Sequence, residues 1–200
     1  MVDVIKYVLP DRWLKVQFDG IMRELPEAKA NIKALQMLPC QRSWAEKLQE
    51  SQLRKEVAGT CRIEGAEFSE GELDAVMKET PQQLFTRSQK QGKAMLRTFF
   101  WIQNIPDDRP IDAELVLQIH RMIVHGVDDD HCDAGVLRET GDNVTFGAPV
   151  HRGAEGGGEC ARAFKGLMDA LRGEFKNHDP LVQALAFHYH FGAIHPFGDG

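Results

Sequence analysis

The residues best equipped for chemistry stand together at the end of the chain, in His188-Tyr189-His190-Phe191-Gly192-Ala193-Ile194-His195-Pro196-Phe197-Gly198-Asp199-Gly200. His195 has the near-neutral reference pKa of an imidazole and lies beside a glycine-rich turn. General base for an attacking hydroxyl is its natural role. Asp199 offers a hard oxygen of the kind Mg²⁺ takes, since that ion binds one or two carboxylates and completes its shell with phosphate oxygens and water. Gly200 lets the backbone come close to an anion, and a helix starting after it would present free N–H groups to phosphates. Phe197 reads as the anchor that holds the loop in the core. Burial would favour neutral His195 and a helix C-terminus the charged form, and the sequence leaves that balance open.

The element that must position His195 is a helix. Asp179-Pro180 is a good start for it, an Asp N-cap with Pro at the first helical position. Leu181, Val182, Ala184, Leu185, Ala186, Phe187 and Phe191 make it apolar nearly all round, which predicts burial in the middle of a domain. Pro196 biases His195 away from helical geometry, so the helix is expected to end there.

A second carboxylate is placed oddly. A capping box at Ser43-x-x-Glu46 starts a helix that Gly65 should stop, with Leu48, Leu53, Val57 and Cys61 at helical spacing. Glu64 then falls in the last turn, against the negative end of the dipole, unfavourable by roughly 0.3–1 kcal/mol.

Both stretches resemble the Fic family. His195, Phe197, Asp199 and Gly200 match the opening of its signature, His-x-Phe-x-(Asp/Glu)-Gly-Asn-Gly-Arg-x-x-Arg, and the run-up from His188 is similar too. Thr60-x-x-x-Glu64-Gly65 resembles the inhibitory motif of autoinhibited members whose inhibitory helix precedes the core. The resemblance implies an all-α fold, a Fic-type helical core with a short β-hairpin flap and an N-terminal helical subdomain. It divides the chain into residues 1–105, with the inhibitory helix at about 44–65, and a Fic core at 111–200 that ends within its signature loop. It implies a protein adenylyltransferase that moves AMP from ATP to a Ser, Thr or Tyr hydroxyl of a target protein. His195 would be the base, Asp199 the Mg²⁺ ligand and Gly200 part of the phosphate site. Thr60, Glu64 and Gly65 would form the inhibitory element, with Glu64 reaching into the γ-phosphate position. Without the signature residues expected after Gly200, the sequence is expected to be an inactive fragment of a longer protein.

Between these motifs, Thr140 to His151 reads as a turn-rich hairpin around Val144, Thr145 and Phe146. It stands where the family has its target-docking flap, which pairs with an incoming segment by β-augmentation. Gly135-Val136-Leu137-Arg138 resembles the segment that enters that flap. The rest of the chain reads as scaffold. Arg12 to Phe18 fits a short strand or a turn of helix. Ile32, Leu35 and Leu38 fit one face of a helix over 27–38. Ser69-x-x-Glu72 caps another helix to about Glu79, and Gln89–Asn104 is a further one whose aromatics Phe99, Phe100 and Trp101 read as core. Two prolines mark a boundary at 105–110. Asp112 N-caps a helix ending near Gly126, on which His120 and His125 read as surface or capping histidines. Cys160–Lys176 carries Phe164, Leu167, Met168 and Leu171 on one face.

Several attractive patterns fail on their own chemistry. Asp128 to Asp133 has Cys and Asp where a calcium loop needs an oxygen ligand and Gly, so it reads as a solvated acidic loop. Gly156-Gly157-Gly158 has no following Gly-Lys-(Ser/Thr) and no preceding strand. His188, His190 and His195 lack a shared ligand geometry at helical spacing, which argues against a metal-dependent hydrolase. The net charge of −6 argues against a nucleic-acid surface. With 42% hydrophobic and 27% charged residues, no signal-like leader and no apolar run of membrane length, the expectation is a cytoplasmic protein with no membrane partner. Its four scattered cysteines read as reduced thiols. Transfer of another phosphate-containing group, removal of AMP, and a non-catalytic nucleotide-binding regulator stay open, as does a homodimer.

Overall fold

Three of the described helices begin where a side chain takes up an orphan backbone N–H. The computed structural model describes residues 4–21, 23–63, 76, 86–127 and 132–198. Strand β1 is Ile5–Lys6, and helices α1, α2 and α3 span Phe18–Ile21, Glu24–Met37 and Arg42–Ile63. Helix α4, Arg87–Gln103, starts on a full capping box between Thr86 and Gln89. Helix α5, Ala113–Val124, starts on Asp112, whose Oδ1 accepts the Leu115 N–H at 2.9 Å. Strands β2, Thr145–Phe146, and β3, His151–Arg152, form a hairpin. Helix α6 is Gly158–Arg172, followed by a 3-10 turn at Glu174–Asn177. Helix α7, Pro180–Ile194, starts as expected on Asp179, whose Oδ1 accepts the Leu181 N–H at 3.0 Å. The architecture is helical with one small sheet. The helix expected from Ser69, the acidic loop at 128–131, and Glu64, Gly65, Asp199 and Gly200 lie outside the described residues.

The main core forms where the 3.6-residue spacing of α6 points its apolar stripe at α7. Cys160, Ala163, Phe164, Leu167 and Met168 pack with Phe175, Val182, Ile194 and Leu14. Burying side chains of this size stabilises the fold by about 1.5–3 kcal/mol each. A second cluster joins α3 to α4 through Leu53, Val57, Ala58, Cys61 and Leu96, with Met95 and Phe99 against it. Phe99 is therefore core, whereas its neighbour Phe100 is 40% exposed.

Three elements differ from expectation. Helix α2 starts before Pro26 rather than after it, because Pro fits the first turn, where its missing N–H is an orphan anyway. None of its residues is buried, and Ile32, Leu35 and Leu38 face solvent. Helix α7 is apolar all round yet buried only in part. Val182 and Ile194 are inside, while Leu185 and Tyr189 are 70% and 71% exposed, because the described residues pack on one side of it. The stretch 11–17 is neither strand nor helix. The Glu174 carboxylate pins it by accepting the N–H groups of Trp13 and Leu14 at 3.1 and 3.0 Å, and His190 bonds the Trp13 carbonyl at 2.5 Å. This strap ties the N-terminal segment across α7. No helix among the described residues is long and apolar enough to cross a membrane.

Candidate functional site

His195 caps α7 in the left-handed conformation, φ 50° and ψ 67°, and is the one non-glycine residue with positive φ among the described residues. Its N–H still donates to the Phe191 carbonyl at 2.9 Å, the last bond of the helix. Pro196 then excludes another right-handed turn. Left-handed backbone at a non-glycine residue costs of order 1 kcal/mol or more and persists where the surroundings over-determine it.

What over-determines it is Arg138. Its side chain is buried, and its donors all go to backbone carbonyls: Nε to His195 at 2.7 Å, Nη1 to Asp142 at 2.6 Å, and Nη2 to Ala154 at 2.5 Å and Ile194 at 3.2 Å. Its backbone N–H donates to Pro196 at 3.0 Å and its carbonyl accepts from Gly157 at 2.8 Å. One residue thus joins the end of α7, the base of the hairpin and the entry to α6. The Ile194 and His195 carbonyls are the negative end of the α7 dipole, so the guanidinium stands where a cation is favoured.

Burial and the same cation together bias the state of His195. Burial, and then the positive charge of Arg138, hold the imidazole below its ordinary 6.5, outweighing a ring N–H donated to the Gly192 carbonyl. The competition that the sequence leaves open tilts towards the neutral ring, first through burial and then through Arg138, which already occupies the helix end. A neutral imidazole with one nitrogen committed to Gly192 has the other available as a base.

The hairpin lies over this base. Thr145 pairs with Arg152 and Phe146 with His151, antiparallel, and the Phe146 ring stacks on His195 with centroids 4.8 Å apart at 20°. Gly153 donates to the Val144 carbonyl at 3.1 Å, so the Val144–Gly153 pair is hydrogen-bonded and the next one, Thr145–Arg152, is not. The N–H and C=O of Thr145 therefore point away from β3, towards an open edge. On the other side β3 is joined by β1, in parallel, through Ile5 N–H to Val150 and Tyr7 N–H to Arg152, both 2.9 Å. This third strand from the N-terminus has no signal in its sequence.

Close approach between hairpin and helix end depends on Gly153. A Cβ there would meet the Ile194 carbonyl oxygen at 2.7 Å and the His195 Cβ at 3.0 Å. Gly153→Ala is expected to push the hairpin off His195 and to cost about 1–3 kcal/mol, the usual range for overpacking. Chemical denaturation checks the stability, and loss of Phe146–His195 ring-current shifts in NMR checks the displacement.

Phe197 is buried, as its role of anchor requires, but its partner was not foreseen. The His120 ring lies flat on it, 3.7 Å between centroids at 5°, and is itself buried, with Nδ1 accepting the Gly135 N–H at 2.9 Å. His120 is thus a core histidine that links α5 to the loop after His195, not a surface one. His125 does cap α5. Gly135 has φ +76°, and a Cβ on it would meet the Leu117 carbonyl at 2.8 Å, which is what brings its N–H to His120.

Of the residues singled out in the sequence, the fold brings together His195, Phe197, Val144, Thr145 and Phe146. Thr60 lies half-buried near the end of α3. Arg138, His120 and Gly153 are the site residues that spacing did not mark.

A helical fold with a hairpin laid over a helix-end histidine defines the class, and comparison with known proteins agrees. The Fic/DOC family model matches residues 110–200 of the chain. Among curated proteins, no sequence matches it. The solved structures with a similar fold include a Fic family protein from Desulfovibrio desulfuricans (TM-score 0.69, 19% identity, covering 97% of this chain and 56% of that one). Fic-1 from C. elegans matches with a TM-score of 0.71 and 18% identity over 91% of this chain and 54% of its own. A Fic domain containing signaling protein from Bacteroides thetaiotaomicron matches with 0.73 and 20%, over 88% and 66%. At these identities the likeness is one of fold. The chain spans between 54% and 66% of the length of these relatives.

Proposed function

We propose that this chain carries the base and the acceptor-docking flap of a protein adenylyltransferase. The observation that carries the reading is a neutral-leaning His195, locked at a helix end beneath the hairpin ring of Phe146, in a Fic/DOC fold. A Ser, Thr or Tyr hydroxyl of a target protein attacks the α-phosphorus of ATP. Its proton passes to the free ring nitrogen of His195, the bond from the α-phosphorus to the bridging oxygen breaks, and pyrophosphate leaves with the electron pair. The target segment docks as an added strand on the Thr145 edge, where an N–H and a C=O await a partner.

Among the described residues no three metal-ligating side chains gather in one place. Mg²⁺ takes few protein ligands and completes its shell from phosphate oxygens and water. Asp199 is the residue that would hold it, and the ion would supply neutralisation of phosphate charge.

Glu64 would restrain the reaction by occupying the γ-phosphate position. Glu64→Gly in the full-length protein is therefore expected to raise protein-bound label from α-labelled ATP by at least about ten-fold, as removal of a block worth some 1.4 kcal/mol would. Label from γ-labelled ATP instead would assign transfer of the terminal phosphoryl group. Equal labelling with and without Glu64 would remove the inhibitory role.

A further inference from the structure

A groove of about 580 Å³ opens beside His195, between β1, the hairpin and α7. It is continuous with the base: Phe146, which stacks on His195, and Gly192, whose carbonyl His195 bonds, both line it. In a chain with 30 acidic against 24 basic residues, the described residues that line the groove include Lys6 and Arg152 and no carboxylate. Arg152 is little compensated. Its contact to Glu155 is long, 3.9 Å, and its buried Nε has no partner among the described residues. The Tyr7 hydroxyl, a second buried polar group in the same wall, also has none. Burial comes first, then Glu159 and Cys160, among the causes that push this phenol up to about 12, so it stays a neutral donor. Unmatched donors and a weakly paired guanidinium next to a base ask for an anionic occupant.

From Lys6, Arg152 and the unmatched donors in the same wall, the geometry points to a groove that takes the acceptor segment itself and selects an acidic residue flanking the modified hydroxyl. This rests on the transferase reading for what happens at His195, but the groove's preference is a binding property and can be measured without turnover. Phosphate of the nucleotide is the competing occupant. Strand β1 makes the selection possible, since its two rungs to Val150 and Arg152 hold Lys6 at the rim.

Short fluorescent peptides with a central Tyr or Ser, flanked by Glu or by Lys, are titrated into the full-length protein by anisotropy. The Glu peptide is expected to bind about ten-fold more tightly at low ionic strength, the advantage shrinking at high salt. Lys6→Glu, at an exposed position that leaves the fold intact, is expected to weaken the Glu peptide about five-fold and to narrow the preference, as is Arg152→Gln. Equal affinities, no binding of either peptide, or an unchanged preference in Lys6→Glu would overturn the inference. Competitive displacement of the Glu peptide by ATP, with ATP affinity falling equally in Lys6→Glu, would overturn it too and give the groove to nucleotide phosphate. Label transfer without peptide preference would sink the groove alone. Preference without transfer would sink the transferase reading and leave the groove standing.

Discussion

His195→Ala is expected to lower transfer of label from α-labelled ATP by ~10²–10⁴-fold, the range a positioned general base contributes, with nucleotide binding by calorimetry little changed. Alanine also disturbs the backbone, because it tolerates φ 50° poorly. His195→Asn separates the two effects, since Asn accepts the left-handed conformation but cannot take a proton near neutral pH. If the Asn variant retained more than a tenth of the activity, the residue would be acting through its backbone and not as a base. The pH profile gives a second check. A base must be neutral to accept a proton, and burial with Arg138 holds this imidazole below 6.5. The unprotonated form thus persists to lower pH than for an ordinary histidine, and the acid limb of kcat/KM should lie below 6.5. A limb at or above that value would mean that the ring titrates as if exposed.

What could be read in the sequence follows from how local its physics is. Helix α7 was legible because its signals are adjacent in the chain, an Asp cap, a Pro at the first position and a Pro just past the end. The hairpin was legible from its turn residues, and the buried stripe of α6 from its spacing. Arg138 was not. It lies in a loop, where no periodicity marks burial, and its partners Ile194, His195 and Ala154 are far along the chain. His120 misled for a related reason. A histidine on an amphipathic helix reads as polar surface unless its stacking partner is known, and Phe197 comes from another element. Strand β1 exists only because β3 offers it the carbonyls of Val150 and Arg152, and two residues of strand carry no pattern of their own. The motifs singled out His195. What sets its pKa and its backbone came from contacts across the fold.

Arg138→Met is the variant expected to lose most stability, about 3–5 kcal/mol, because several buried carbonyls lose their donor together. Methionine keeps the length and apolar bulk of the stem but leaves the carbonyls of Asp142, Ala154, Ile194 and His195 without these donors. Each buried acceptor so orphaned is worth roughly 1–3 kcal/mol before relaxation. The cation is also lost from the C-terminal end of α7, where it offsets the dipole. Arg138→Lys should fall between wild type and Met, since an ammonium keeps the charge but cannot reproduce a fork that reaches three segments at once. The two variants differ further in a readout that mere unfolding would not give. Positive charge at residue 138 is one of the two causes that lower the His195 pKa, after burial. Removing it should let that pKa rise, so the acid limb of the activity profile moves to higher pH in Arg138→Met and stays nearly in place in Arg138→Lys. Denaturant midpoints on the two proteins give the first quantity and pH–rate profiles the second. A stability loss under about 1 kcal/mol, or limbs that coincide in Met and Lys, would show that the helix end and the hairpin are held by packing alone. Parallel loss of stability with a shifted limb in Met only would establish Arg138 as the residue that sets both the shape of the His195 turn and the proton affinity of its ring.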